Sequence, residues 1–277
     1  MIKLNGKEVL FESFPNGETK MIHEGLIIKD VSHVDFKYED DSDLIKLMFV
    51  SEYIYPKTLK TNLRIQYMPY SRMDRSENDS PFTLKYIAKF INMLDFNKVE
   101  LIEPHSNVTV RLIDNAEENY INFELIEKVK DEVGFDRELD YIMFPDEGAK
   151  IRYYGMLANN VLIGEKVRDF ETGRIKSLEL VGDTSKAQGR KAIIVDDLSS
   201  YGGTFVKSAT ALKEAGISEV YLLVAHAENS VFKGDLFNHI DKLFTTDSIL
   251  TEQDNWENTK FKEKLKIYNI EGVLSND

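Results

Sequence analysis

The sequence predicts an α/β protein of two lobes, each a mostly parallel sheet flanked by helices. Short runs rich in apolar residues (Leu63 to Met68, Val99 to Ile102, Tyr141 to Phe144, Ala192 to Val195, Val220 to Ala225) alternate with segments whose apolar residues recur at helical spacing. That is the rhythm of βαβ units. Several runs are apolar at every position, as strands buried on both faces are. The chain has 277 residues, 42% of them hydrophobic, enough for two domains of ordinary size. The rhythm repeats on either side of residue 130, which places the lobes at 1–130 and 131–277.

Residues 1–12 alternate and contain Asn5-Gly6, a hairpin-turn dipeptide, so a small β-ribbon is expected. Phe14-Pro15-Asn16-Gly17-Glu18 follows and reads by composition as a turn. Leu44, Leu47, Met48 and Ile54 supply the apolar stripe of a helix over 41–56, and the acidic residues ahead of it suit its N-terminus. The strand Leu63–Met68 runs into Tyr67 through Arg75 and a polar loop, Ser76 to Ser80. Ser80 and Pro81 suit the N-cap and first position of a helix carrying Leu84, Ile87, Ile91 and Leu94 on one face. The strand Val99–Ile102 ends at Glu103-Pro104-His105-Ser106.

A helix near 121–134 leads to the strand Tyr141–Phe144, which ends in Pro145-Asp146-Glu147-Gly148. A helix bearing Lys150 and Arg152 and the strand Asn160–Ile163 come next. Gly164 to Gly189 is polar and interrupted by glycines, so it is expected to be one long loop holding Lys166 and Arg168. Loops of that length in compact domains are usually functional or mobile. Strands are expected at 220–225, 242–246 and 266–270, with Trp256 in a polar stretch before the last.

The stretch around which the rest is organised is Lys191 to Gly216. Its apolar strand ends on Asp196 and Asp197, a small-residue turn covers Ser199 to Gly203, and Phe205, Val206, Ala209 and Leu212 then fall at helical spacing. Gly216 suits the residue just beyond the helix. Backbone N–H groups of Gly202, Gly203 and Thr204 at a helix N-terminus favour a phosphate. The two aspartates suit either sugar hydroxyls or a divalent cation. The stretch resembles the ribose-phosphate loop of the type I phosphoribosyltransferase fold.

The chain has no cysteine, which excludes disulfides, thiolate catalysis and Cys-based zinc sites. A net charge of −13 disfavours a general nucleic-acid or anionic-membrane surface. With no apolar run of membrane-spanning length and no signal-peptide pattern, a cytoplasmic location is expected.

Six segments together are similar to the ribose-phosphate pyrophosphokinase family, over roughly residues 14–250. Phe14 to Glu18 resembles its Phe-x-Asp-Gly-Glu, and Tyr67 to Arg75 its Tyr-x-x-Tyr-x-Arg-Gln-Asp-Arg. Glu103 to Ser106 matches Asp-Leu-His-Ser, and Phe144 to Gly148 matches Ser-Pro-Asp-x-Gly. Lys166-Val167-Arg168 matches the catalytic Lys-x-Arg, and Val195 to Thr204 matches Val-Asp-Asp-x-x-x-Thr-Gly-Gly-Thr. The resemblance implies two phosphoribosyltransferase-like lobes, an active site between lobes and subunits, and a homo-oligomer. It implies transfer of the β,γ-diphosphoryl group of ATP to the anomeric hydroxyl of ribose 5-phosphate, with magnesium, releasing AMP. By the same resemblance Asn16, Gly17, Glu18, Arg72, Met73, Asp74 and Arg75 bind ATP, and His105 and Asp146 hold Mg²⁺. Lys166 and Arg168 stabilise the transferring group. Asp196, Asp197, Ser200, Tyr201, Gly202, Gly203 and Thr204 bind the acceptor.

The chain departs from the family at several points. Thirteen residues precede Phe14 here, so the family's first strand and helix are expected to be reduced to a hairpin, which would bear on the usual oligomer contacts. Met73 stands where the family has glutamine. The segment from Lys166 to Asp196 is a few residues longer than usual. Ser200 and Tyr201 stand where the family has aspartate and threonine. An aromatic ring there suits an acceptor whose 5-phosphate carries more, such as ADP-ribose, with NAD resynthesis as the use of the product. The alternative is that Tyr201 packs on the lobe. A plain phosphoribosyltransferase would share 191–216 but lack the ATP-side segments. A non-catalytic regulatory relative would be expected to lose the cations or metal ligands, all of which are present.

Overall fold

Asn5 and Gly6 hold φ of 51° and 84°, the pair of left-handed residues a two-residue hairpin turn needs. They join strands β1 (Ile2–Leu4) and β2 (Lys7–Glu8), so the expected ribbon is present. The computed structural model describes residues 1–58, 60–76, 79–156, 159–168, 175–250 and 260–274, and for 166–168 and 175–177 the backbone only. It divides into two units, Met1–Tyr120 and Ile121–Asp277. The helix on which the sequence boundary at 130 falls belongs wholly to the second unit.

In the first unit β3 (Leu10–Ser13) and β4 (Thr19–Ile22) form a separate two-stranded arm. Then come β5 (Ser32–Phe36), α1 (Ser42–Ile54), β6 (Thr61–Ile65), α2 (Thr83–Met93), β7 (Lys98–Ile102), α3 (Asn107–Leu112) and β8 (Ala116–Asn119). The sheet order is β2-β1-β5-β6-β7-β8, parallel from β5 onward. Strands β5 and β6 alternate strictly, and β7 does so over its first four residues. Val34, Phe36, Leu63, Ile65, Val99 and Leu101 are buried in one core with Leu47, Val50 and Ile54 of α1 and Leu84, Ala88 and Ile91 of α2. The opposite face carries a charged row: Arg64 Nε donates to Glu100 at 2.6 Å and Arg64 Nη1 reaches Asp35 at 3.4 Å. Asn119 donates to Glu100 at 3.0 Å, and Lys98 pairs with Glu117 at 2.5 Å.

Helix α2 starts at Thr83, later than Ser80 and Pro81 predict, and Phe82 occupies its N-cap without a side-chain bond. The reason is tertiary. The Leu84 N–H finds the Met73 carbonyl at 3.3 Å, so a first-turn donor is satisfied from the preceding motif rather than by a serine cap.

The second unit runs α4 (Asn122–Val133), β9 (Tyr141–Phe144), α5 (Glu147–Arg152), β10 (Asn160–Arg168), β11 (Ile175–Val181), β12 (Lys191–Ser199), α6 (Gly203–Glu214), β13 (Glu219–Ala227), α7 (Leu236–His239), β14 (Lys242–Thr246), β15 (Leu265–Tyr268) and α8 (Ile270–Leu274). The sheet order is β11-β10-β9-β12-β13-β14-β15, parallel except for the β10–β11 pair. Here β9 is buried at every position and β13 at all but its first. Gly134, in the left-handed region with φ 61°, ends α4. Gly216, with φ 99°, ends α6, with Ile217 N bonded to Leu212 O at 3.0 Å and Gly216 N to Lys213 O at 3.0 Å.

Two expectations are corrected. The Gly164–Gly189 segment is not one long loop: β10 continues to Arg168 and pairs antiparallel with β11, Lys166 opposite Leu178 and Arg168 opposite Ile175. Leu178 is buried in the unit's core and Leu180 packs against it, and this period-two pattern outweighs the charges and glycines. The β12 strand does not end on the acidic pair either. It runs to Ser199, because β13 supplies partners as far as Ala227, with Asp196 opposite Val224 and Ser199 opposite Ala227. Trp256 lies outside the described residues. Among the described residues no helix is long and apolar enough to cross a membrane.

Candidate active site

In the first unit the β3–β4 arm ends in the Phe14–Glu18 turn. Gly17, with φ 88°, allows it, Gly17 N donates to Phe14 O at 2.8 Å, and Asn16 Oδ1 accepts from Glu18 N at 3.2 Å. Asn16, Gly17 and Glu18 are all exposed at this tip. The Tyr67–Arg75 stretch leaves β6 as a tight, irregular turn. Tyr70 holds φ 61°, which an aromatic residue adopts only under constraint, and its O–H donates to Asp41 Oδ1 at 2.6 Å. Tyr38 donates to the same oxygen at 2.6 Å. These two bonds hold the Asp41 carboxyl below the usual carboxylate range. Met73 N donates to Tyr70 O at 2.9 Å, so the brace extends along the backbone past Arg72. Arg72 and Arg75 are exposed, and Met73 is 40% exposed.

Asp74 accepts from Ser106 Oγ at 2.7 Å. That bond joins the Tyr67–Arg75 motif to the His105-Ser106 motif, which sits where β7 gives way to α3. Glu103, buried with φ 46°, turns the chain there.

In the second unit Asp146 leaves β9 in extended conformation and caps α5, its Oδ1 accepting from Ala149 N at 3.1 Å. The same helix ends on Arg152, whose Nη1 lies 3.0 Å from Asp197 Oδ1 and 3.3 Å from Asp196 Oδ1. Asn122 of α4 donates to the Asp196 main-chain oxygen at 2.8 Å and to the Tyr153 hydroxyl at 2.9 Å. Burial, and then the neighbouring Asp197 carboxylate, push the Asp196 carboxyl well above the usual range, against the pull of Arg152. Carboxylate oxygens are the acceptors that sugar hydroxyls seek.

Beyond Ser199 the chain turns through Ser200, Tyr201 and Gly202 into α6. Gly202 holds φ 80°, and a Cβ there would meet Leu236 at 2.9 Å. At Gly203, the exposed first residue of α6, a Cβ would meet nothing within 4 Å, and backbone N–H groups at a helix start suit a phosphate. Tyr201 is 60% exposed, so the packed alternative for its ring does not hold. Gly234 passes so close beneath that a Cβ would lie 2.2 Å from the Tyr201 carbonyl oxygen. Gly234→Ala should therefore displace the loop and lower stability by about 1–3 kcal/mol, the usual cost of over-packing. Denaturant unfolding measures this, and a midpoint equal to wild type would mean that the Tyr201 carbonyl does not sit over Gly234.

The structure thus brings Asp196, Asp197 and the 199–204 loop together, and separately joins Asp74 to the His105-Ser106 corner. It places Lys166 and Arg168 on the backbone of β10, and their side chains lie outside the described part. Among the described residues no group of three or more His, Asp or Glu is arranged to hold a metal ion by itself. Sequence reasoning missed the tasks of Arg152 and Asp41. An acidic pair in an apolar strand signals the need for a counter-cation, and the helix after Asp146 offers Lys150 and Arg152. Nothing in the sequence singles out Asp41.

Residues 159–276 match the family described as phosphoribosyl synthetase-associated domain. A ribose-phosphate pyrophosphokinase of Mycoplasmopsis pulmonis is 28% identical over an alignment 279 positions long, covering 97% of this chain and 80% of the relative. One from Fusobacterium nucleatum is 24% identical over 269 residues, 96% of this chain and 84% of that one. The structure of phosphoribosylpyrophosphate synthetase from Mycobacterium smegmatis superposes with a TM-score of 0.77 at 16% identity, covering 97% of this chain and 88% of that chain, which establishes a shared fold.

Proposed function

This chain belongs to the ribose-phosphate pyrophosphokinase family as a divergent member and is a diphosphokinase-type transferase; on that premise we propose that it moves the β,γ-diphosphoryl group of ATP to the anomeric hydroxyl of a ribose 5-phosphate group and releases AMP. The observation that carries the acceptor side is the second unit's carboxylate pair, held by Arg152 next to an open helix N-terminus. Asp196 and Asp197 accept hydrogen bonds from the ribose hydroxyls, and the 200–204 backbone receives the 5-phosphate. The anomeric oxygen attacks the β-phosphorus while the bond from that phosphorus to the α,β-bridging oxygen breaks, and that oxygen leaves with AMP. Such transfers depend on positioning and charge stabilisation. Lys166 and Arg168 supply positive charge to the transferring group, and Arg72, with Met73, Asp74 and Arg75, holds the nucleotide. The exposed tip bearing Asn16, Gly17 and Glu18 suits contact with the nucleotide of a neighbouring copy in a homo-oligomer.

Magnesium would neutralise the diphosphoryl oxygens when bound. Mg²⁺ takes most of its ligands from water and phosphate oxygens, so a site with few protein donors fits it. By the family resemblance Asp146 would offer a hard oxygen to the ion and His105 the less usual imidazole.

A second acceptor is favoured by one observation, the 60% exposed Tyr201 ring beside the phosphate loop. A ring so placed stacks on an adenine carried beyond the 5-phosphate, as in ADP-ribose. Base–aromatic stacking is worth about 1–3 kcal/mol in nucleic-acid complexes. The product would be ADP-ribose 1-diphosphate, a donor for NAD resynthesis. The test is AMP formation from ATP and Mg²⁺ with ribose 5-phosphate or ADP-ribose. AMP is expected only when an acceptor is present, with ADP-ribose used at least as well. Accumulation of ADP in place of AMP would make the chain an ordinary kinase, and turnover of ribose 5-phosphate alone would remove the second acceptor.

A further inference from the structure

On the pyrophosphokinase reading, the protons of the acceptor loop decide which phosphate it can hold. Ser200 Oγ lies 3.1 Å from Ser230 Oγ. Ser230 Oγ lies 3.1 Å from Glu228 Oε2. The backbone fixes this side chain row against the loop, since Glu228 N donates to Ser199 O at 2.8 Å directly after β13. A carboxylate only accepts, and each hydroxyl has a single proton to give. Ser230 therefore spends its proton on Glu228, and the contact between the two serines is made with the proton of Ser200. Ser200 is left without a donor for a bound phosphate, although it stands in the loop expected to receive one.

We infer that the Ser200–Ser230–Glu228 row withdraws one hydroxyl donor from the acceptor loop, so that Ser230 and Glu228 are specificity-determining residues that favour a ribose whose 5-phosphate is substituted further over a terminal phosphate monoester. The chemistry is differential. A monoester carries about −1.5 to −2 charges near neutrality and three terminal oxygens that need donors. A phosphate linked onward carries a single charge on two such oxygens and loses less when one donor is missing. The row thus works in the same direction as the exposed Tyr201 by a separate route: one weakens the monoester, the other adds contact for an extended acceptor.

The experiment uses Ser230→Ala in the full chain, which leaves Ser200 free to turn its proton toward the loop. Dissociation constants for ribose 5-phosphate and ADP-ribose come from calorimetry, and KM and kcat for both from AMP release. The constants for ribose 5-phosphate should fall about three- to tenfold, the scale of one added hydrogen bond to a charged group. Those for ADP-ribose should move less than twofold, and in the Ser200→Ala background the Ser230 change should bring no gain. An unchanged ratio between acceptors, or a gain that persists without the Ser200 hydroxyl, overturns the inference. If the wild-type chain forms no AMP with either acceptor, the pyrophosphokinase reading falls, and the ratio of dissociation constants still decides the row. Binding of neither acceptor overturns both.

Discussion

In Lys166→Ala and Arg168→Ala, turnover is expected to fall on the order of 10²-fold or more, the scale seen when one electrostatic donor to a transition state is removed. The two residues belong to a paired strand, with a register shift between Val167 and Arg168 opposite β11. A hydrogen-bonded ladder fixes the backbone at both positions. Cations that act where negative charge develops should affect kcat more than acceptor or ATP affinity. Steady-state AMP release separates the two parameters. Turnover near wild type in both variants would place the catalytic cations elsewhere.

The second large effect is expected at Arg152. Its guanidinium lies between two carboxylates whose side chains are 18% and 6% exposed, and it is itself 12% exposed. Arg152→Met removes the guanidinium that both carboxylates contact, and breaking a buried ion pair from one side costs about 3–5 kcal/mol. The deficit should depend on pH. The Asp196 carboxyl is already raised by burial and by Asp197. Its contribution to stability is present below the unfolded carboxyl pKa and is lost as pH rises through the folded value. Without Arg152 the folded value rises further, so the deficit should be largest near neutrality and above and shrink in acid as Asp196 takes up its proton. Urea unfolding of both proteins across that range measures it. A deficit that is constant with pH would show that Arg152 acts by packing alone.

The acceptor loop is legible in the sequence because its parts are local: an apolar run, adjacent aspartates, small residues and a helical stripe closed by a glycine at positive φ. What is not legible is tertiary. Arg152 sits 44 residues from Asp196, and no spacing rule links them. The length of β12 depends on β13 continuing beside it, and the start of α2 depends on the Met73 carbonyl. Lys166 and Arg168 read as loop because charge and glycine outweigh a short alternating pattern whose partner strand, β11, is itself weakly signalled in the sequence. Tyr70 is held by Asp41, a residue whose composition suggests only a helix start. The six family-like segments are contiguous and so can be read off the chain, whereas some of the bonds that brace them, from Asp41 to Tyr70 and from Arg152 to the acidic pair, come from residues outside those segments.

The two sheets differ in how strongly they specify their own pairing. In β5, β6 and β7 a slip of one residue would turn Asp35, Arg64 and Glu100 into the core and bring Val34, Leu63 and Val99 into the charged row. Misregistered pairings in that sheet are therefore heavily penalised as soon as they form. In β9 and over Leu222–Ala225 of β13 the same slip exchanges one apolar side chain for another. Nothing within those runs rejects it, so the alignment there must come from the strand ends, where His226 meets Ser248, and from the helices as they dock. During refolding, the first unit's sheet should acquire hydrogen-exchange protection in a single step. The second should pass through compact species with mismatched strands, and its slow phase should lengthen with the time needed to undo them.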